Sequence, residues 1–297
     1  YTVVKTPSTD YNLYQSGKLD GAFLDTQASK QLKHQDGYRV FKLDRTEYLT
    51  YNVSKNKDMA NANVRRAFSM VLDRAELAKT VGGANTVATT FTGPQETVNG
   101  VNFNKYFAEQ GATSKYTKFN KQEANVLFNK GLKELGKSKM EFTLGGDDDD
   151  VSKKVLEYVQ SQFESTFGKK VEVHVRTMPK TTRVSNMLNG KYDVDYTGLN
   201  PAFTDPYAML SVMATDQNYN FGKWSNKQYD NYLDASSKEM NINKRLKDLM
   251  NAEKVLDSEQ PLSPLFHDGQ AWMVRSSVHN LGFSLGKFNF RSAYVTK

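Results

Sequence analysis

Asp193 and Asp195 lie two residues apart in a stretch that reads as a strand, so their carboxylates point to one side. Two carboxylates on one face can imitate an acid/base pair, but only within a wider constellation of partners. None is visible. The chain has no Gly-x-Ser-x-Gly, no phosphate-cradling glycine loop and no dinucleotide fingerprint. Its four histidines, His34, His174, His267 and His279, are far apart and lack HExxH-like spacing, so each reads as a surface or packing residue. The run Gly145-Gly146-Asp147 to Asp150 invites a calcium reading. An EF-hand loop alternates its acids and places a glycine and a distal glutamate at fixed positions, and this run does neither. It stands directly before a helix beginning near Val151, where carboxylates satisfy orphan amides and the helix dipole. Capping is the favoured reading. No metal or cofactor is expected, and catalysis has no positive support.

Binding chemistry is better placed. The strand ending at Leu199 runs into Asn200-Pro201-Ala202-Phe203-Thr204-Asp205-Pro206. Two prolines fix φ and remove donors, so this is a stiff loop carrying an amide, an aromatic and a carboxylate at a strand end. Such positions carry function more often than core ones. Gly198 lets another backbone approach the strand closely. Bland readings exist for each: Gly198 ends a strand, Leu199 is core, and Asp205 before Pro206 caps a helix.

The elements that must hold this loop alternate between helix and strand, which argues for an α/β chain. Asp10 to Ser16 reads as a short helix, and Leu19 to Leu24 as a buried strand. Tyr38 to Leu43 and Tyr48 to Val53 follow as strand segments. Val64, Phe68, Val71, Leu72, Ala75 and Ala78 fall on one helical face, with Gly82-Gly83 as the stop. Ala84 to Asn104 is polar and glycine-containing, and is expected to run over the surface. Asn120 with Glu123 is a capping-box-like helix start. Val151, Val155, Val159, Phe163 and Phe167 mark the clearest helix, and Val171, Val173 and Val175 alternate in the strand after it. Helices near Thr182 to Asn189, Asn226 to Ser237 and Asn243 to Asp257 follow, and Leu265 to Val274 is a last strand.

With 297 residues and 38% hydrophobic content, the chain suits one large domain or two ordinary ones. Absence of cysteine excludes disulfides, thiolate metal sites and a cysteine nucleophile. The net charge of +7 comes from lysines scattered among acids, whereas nucleic-acid binders concentrate charge on one face, so no nucleic-acid partner is expected. Sixteen Tyr and seventeen Phe suit a protein that binds flexible ligands by packing.

Several segments together resemble the bacterial extracellular solute-binding proteins of the oligopeptide and dipeptide class, receptor components of ABC importers. Tyr14-Gln-Ser-Gly-Lys-Leu-Asp-Gly21 resembles the family's G-x-x-D element. Tyr48-Leu-Thr-Tyr-Asn52, with Ala62-Asn63-Val64-Arg65-Arg66-Ala67-Phe68 and Val71-Leu72-Asp73-Arg74, resembles its extended strand ending in Asn and the helix after it. Gly190-Lys-Tyr-Asp193 and Thr204-Asp205-Pro206 match a later region, and Pro261-Leu-Ser-Pro264-Leu265 and Phe290-Arg-Ser-Ala-Tyr294 the closing strand and tail. The match covers only the second half of the family's usual length, so a C-terminal fragment is expected.

The resemblance implies a type II, clam-shell, periplasmic-binding-protein-like α/β fold, with residues 1–44 and 270–297 in lobe one and 45–269 as a nearly complete lobe two. It implies an extracellular, cell-surface and lipid-anchored monomer that binds extended peptides between lobes and hands them to a membrane permease. One wall of the site would be Tyr196, Gly198, Leu199, Asn200, Ala202 and Asp205, with Arg45, Glu47 and Tyr48 on the approach from the hinge. Many relatives carry, at the position matching Ala202, an acid that neutralises the ligand's α-ammonium. Alanine cannot do so, and the expected receptor does not depend on a free peptide N-terminus. The alternatives are a receptor of the same fold for nickel, haem or a sugar, and a peptide or glycan hydrolase.

Overall fold

Two strands too long for one ordinary layer organise the chain. The computed structural model describes residue 2, residues 6–112 and residues 114–296. Helix α1 (Pro7–Gln15), strand β1 (Gly21–Phe23) and helix α2 (Thr26–Leu32) lead into β2 (Tyr38–Tyr51). Helices α3 (Lys57–Ala60), α4 (Ala62–Met70) and α5 (Arg74–Val81) precede the short strands β3 (Thr86–Val87), β4 (Thr97–Val98) and β5 (Val101–Asn102). After α6 (Phe103–Glu109) and α7 (Lys121–Leu135) come β6 (Met140–Asp147), α8 (Asp150–Phe167), β7 (Val171–Met178), α9 (Lys180–Leu188) and β8 (Val194–Leu199). Helices α10 (Pro206–Leu210), α11 (Lys227–Lys238) and α12 (Ile242–Glu259) then lead to β9 (Leu262–Val274). Four short strands close the chain: β10 (Val278–His279), β11 (Gly282–Ser284), β12 (Lys287–Asn289) and β13 (Tyr294–Val295). Among the described residues, no helix is long and apolar enough to cross a membrane.

The main sheet has the order β1-β9-β2-β8-β6-β7, with β3 also on β9. Pairing is antiparallel from β1 through β8 and parallel among β8, β6 and β7. Residues Tyr38–Lys42 of β2 pair with Met273–Gly269 of β9 beside β1, whereas Thr46–Tyr51 pair with β8. Between those halves the register slips: Leu43, Asp44 and Arg45 of β2 face the single residue Asp268 of β9. A bulge of this kind bends a strand and re-aims its side chains.

Side-chain alternation divides the interior. Leu49 and Tyr51 join one core with α4, α7 and α8, while Tyr48 joins a second with α6, α10, α11 and α12. The stripe Val155, Val159, Phe163 and Phe167 of α8 is buried in the first core, and each such side chain contributes about 1.5–3 kcal/mol through burial. Asp149 caps α8 by accepting from Val151 and Ser152 N–H, so the acidic run is a helix start as expected. Asn120 likewise accepts from Glu123 N–H at the start of α7.

Four expectations fail. Leu265 to Val274 is not the last strand, since β10 to β13 follow it. Val64 to Ala78 is two helices, because Asp73 takes the Ala75 and Glu76 N–H groups and starts α5 afresh. Tyr38 to Tyr51 is one bulged strand rather than the two expected segments, Tyr38 to Leu43 and Tyr48 to Val53. Ala84 to Asn104 does not run over the surface: Ala88, Phe91, Val98 and Phe103 are buried, and Glu253 of α12 accepts from Phe91 N–H at 2.7 Å.

Candidate functional site

Residues that carry the resemblance turn out to be joints. Arg65 is buried and donates to the carbonyls of Met59, Ala60, Glu259 and Gln260, locking α3 and α4 to the end of α12. Arg74 is buried too and donates to Ser69, Leu72, Thr117 and Pro264 carbonyls. Burial pushes both guanidinium groups down to about 10. Asn52 at the end of β2 donates to the Gly190 and Tyr192 carbonyls, and Asp193 accepts from Thr143 N–H and Asn56. These contacts fix where β8 begins. Asp193 is thereby committed, and Asp147, the other carboxylate acting on Asp195, is held by both prongs of Arg183, so neither is a free partner for acid/base work.

Beyond that joint, β8 changes character. Its ladder with β6 consists of Val194 with Leu144 and Asp195 with Gly145, while the ladder with β2 continues to Leu199. From Tyr196 to Leu199 the edge turned away from β2 therefore has no strand partner among the described residues. Alternate N–H and C=O groups of any strand face each of its edges, so this edge offers backbone donors and acceptors. It runs straight into the Asn200–Asp205 loop.

A polar cluster borders it. Arg45, thrown outward by the bulge, pairs with Glu47 and lies 3.3 Å from Asp268, while its Nη1 donates to Asn200 at 3.3 Å. Burial and the neighbouring Glu47 carboxylate raise both the Asp268 carboxyl and the Tyr196 hydroxyl. Gly198 faces Glu47 across the ladder, and a Cβ there would overlap that carboxylate. The glycine makes room for Glu47 from within the protein. Arg45, Glu47, Tyr196, Gly198 and Asn200 thus form one group, to which sequence reasoning did not add Asp268; its only signal was a place on the predicted last strand.

The remaining positions lie differently. Tyr48 is 2% exposed and packs edge-on against Phe91, 5.2 Å between ring centroids, so its ring is core. Leu199 is half-buried against the second core, and Ala202 is exposed on the loop. Asp205 caps α10 through Tyr207 N–H and receives both Nη groups of Arg245 at 2.7 and 2.9 Å. Its two oxygens are already taken. Trp224 is buried in the second core, and Trp272 packs against Phe23 and Phe288.

Residues 1–221 match the middle region of the bacterial extracellular solute-binding proteins, family 5. The dipeptide-binding protein of Lactococcus lactis is 30% identical over 99% of this chain and 56% of its own length. The dipeptide-binding protein DppE of Bacillus subtilis is 27% identical over 95% of this chain and 51% of its own. The structure of Listeria monocytogenes OppA bound to peptide superposes with a TM-score of 0.84 at 25% identity, covering 99% of this chain and 57% of that one. The chain therefore spans about half the length of these relatives, in the mixed α/β architecture of type II periplasmic binding proteins. It belongs to the bacterial extracellular solute-binding proteins of family 5.

Proposed function

We propose that this chain forms the larger part of an extracellular peptide receptor of an ABC importer, holding extended peptides against the open edge of β8. The open edge from Tyr196 to Leu199 is the observation that carries the reading. An extended peptide has unsatisfied N–H and C=O groups of its own, and adding it as a strand satisfies them irrespective of sequence. The stiff loop after Leu199 and the cluster of Arg45, Glu47 and Asp268 bound the place where its side chains would lie. Relatives described as dipeptide-binding proteins, and a relative solved with peptide, support the same ligand class.

In this reading residues 1–44 and 270–297 belong to lobe one and 45–269 to lobe two, and the bulge at Leu43–Arg45 lies where the lobes meet. Closure of a second lobe would exclude water from the edge and strengthen its hydrogen bonds. A lipid anchor, a membrane permease and a monomeric state complete the proposal. Hydrogen exchange on the full-length protein tests it. A bound pentapeptide slows exchange at one or more amides between Tyr196 and Leu199, and saturation with peptide without any slowing there would overturn it.

A further inference from the structure

A second polar cavity, of about 490 Å³, opens at the other end of β8. It lies between the loop after β2, the exposed face of β6 and β7, and α9, with Asn52, Thr143, Met178, Asn186 and Asp195 in its lining. Asp195 is 3% exposed, reaches into this cavity, and its carboxylate makes no hydrogen bond or ion pair with any described residue. Its neighbour Asp193 is committed to Thr143 and Asn56. Gly145 opposite is what admits the carboxylate, since a Cβ there would overlap it. A buried carboxylate without a partner is costly, and a cation that reaches it recovers that cost.

The mouth has the opposite sign. Lys55, Lys57, Arg176 and Lys191 line it, are all exposed, and make no ion pair among the described residues. Lys137, the fifth cation, rests on Asp58 at 2.6 Å. This arrangement excludes simple occupants. A plain anion would meet the Asp195 carboxylate on the floor, and a plain cation would have to pass four unpaired cations. Calcium would need six or more oxygens, and one uncommitted carboxylate does not supply them.

We propose that this cavity binds a small zwitterion, with its ammonium group on Asp195 and its carboxylate among Lys55, Arg176 and Lys191 at the mouth. Such a ligand offers no strand backbone, so the site is independent of the open edge of β8. Burial pushes the Asp195 carboxyl up to about 7, with Arg183 of α9 and Arg176 of β7 opposing the rise and Asp147 of β6 and Asp193, just before β8, adding to it. An ammonium group beside it would favour the ionised form, so binding near pH 6.5 releases a proton.

Calorimetry on the full-length protein tests this with glycine, 4-aminobutyrate and 6-aminohexanoate as probes of increasing charge spacing. At least one binds saturably. Its N-acetylated form and the matching alkylamine, which lack the ammonium and the carboxylate respectively, bind at least tenfold more weakly. Heats in two buffers of different ionisation enthalpy report proton release, which Asp195→Asn abolishes together with at least tenfold in affinity. Lys191→Ala, an exposed change that leaves folding intact, weakens the zwitterion several-fold and serves if Asp195→Asn does not fold. Absence of saturable binding by all three probes would overturn the proposal, as would equal binding of the acetylated form or unchanged affinity in both variants. An excess of pentapeptide leaves zwitterion binding intact, and mutual displacement would merge the two sites and sink the proposal.

Discussion

Asp205 illustrates how a single residue's position can be read correctly while its availability cannot. A carboxylate before Pro206 at a helix start is a capping signal, and Asp205 does accept from Tyr207 N–H. Its second commitment comes from Arg245, forty positions further along the chain, which holds it by a two-pronged pair. No local pattern reveals that. With Ala202 beside it exposed and uncharged, the β8 loop has no free acid for a ligand's α-ammonium. In calorimetry on the full-length protein, a pentapeptide and its N-acetylated form are expected to bind within about threefold of each other, a difference under roughly 1 kcal/mol. A loss of tenfold or more on acetylation would show that the ammonium is held after all. Arg65 and Arg74 make the complementary point. Their spacing was recognisable in sequence, yet only the fold reveals that both serve backbone carbonyls rather than a ligand.

At the scale of elements, signals carried within a few residues were legible. The starts of α7 and α8 at Asn120 and Asp149 are examples, because the capping oxygen and its amides are neighbours in sequence. The break between α4 and α5 was hidden because the apolar spacing runs on through Val71, Leu72 and Ala75 while Asp73 resets the helix. Burial of the Ala84–Asn104 segment was hidden because its cover includes Glu253, more than 150 residues away. The β2–β8 ladder contains another such pairing, Gly198 against Glu47. Gly198→Ala is expected to destabilise the protein by about 1–3 kcal/mol through overpacking of that carboxylate. Urea unfolding measures it, and adding Glu47→Ala should recover part of the loss in a double-mutant cycle. A Gly198→Ala variant as stable as the parent would refute the assigned role.

For the whole molecule, buried acids set the response to pH. Burial pushes Asp195 and Glu253 up to about 7 and Asp257 up to about 6. The folded chain therefore keeps protons that the unfolded chain releases near pH 4, and stability falls as pH rises from about 4 to about 7. Buried His267 opposes this, since burial lowers it to about 4 and adds stability as pH rises toward about 6.5. Three raised acids outweigh one depressed histidine. The unfolding free energy from urea titration, and with it the midpoint, should be higher at pH 5.5 than at pH 7.5, by an amount on the order of 2 kcal/mol in free energy, with Glu253→Gln flattening the difference. A midpoint that rises across this interval would contradict the assignment. The same scale carries the functional account, because the bulge opposite Asp268 sets Arg45 beside the open edge of β8. If that edge receives a peptide as a strand, affinity resides in the ligand's backbone. The most direct measurement is the affinity of the full-length protein for a pentapeptide and for the same peptide N-methylated at successive amides. At least one N-methyl group at an inward amide is expected to cost tenfold or more, while alanine replacement of side chains costs less. Undiminished affinity for every N-methylated peptide would contradict it.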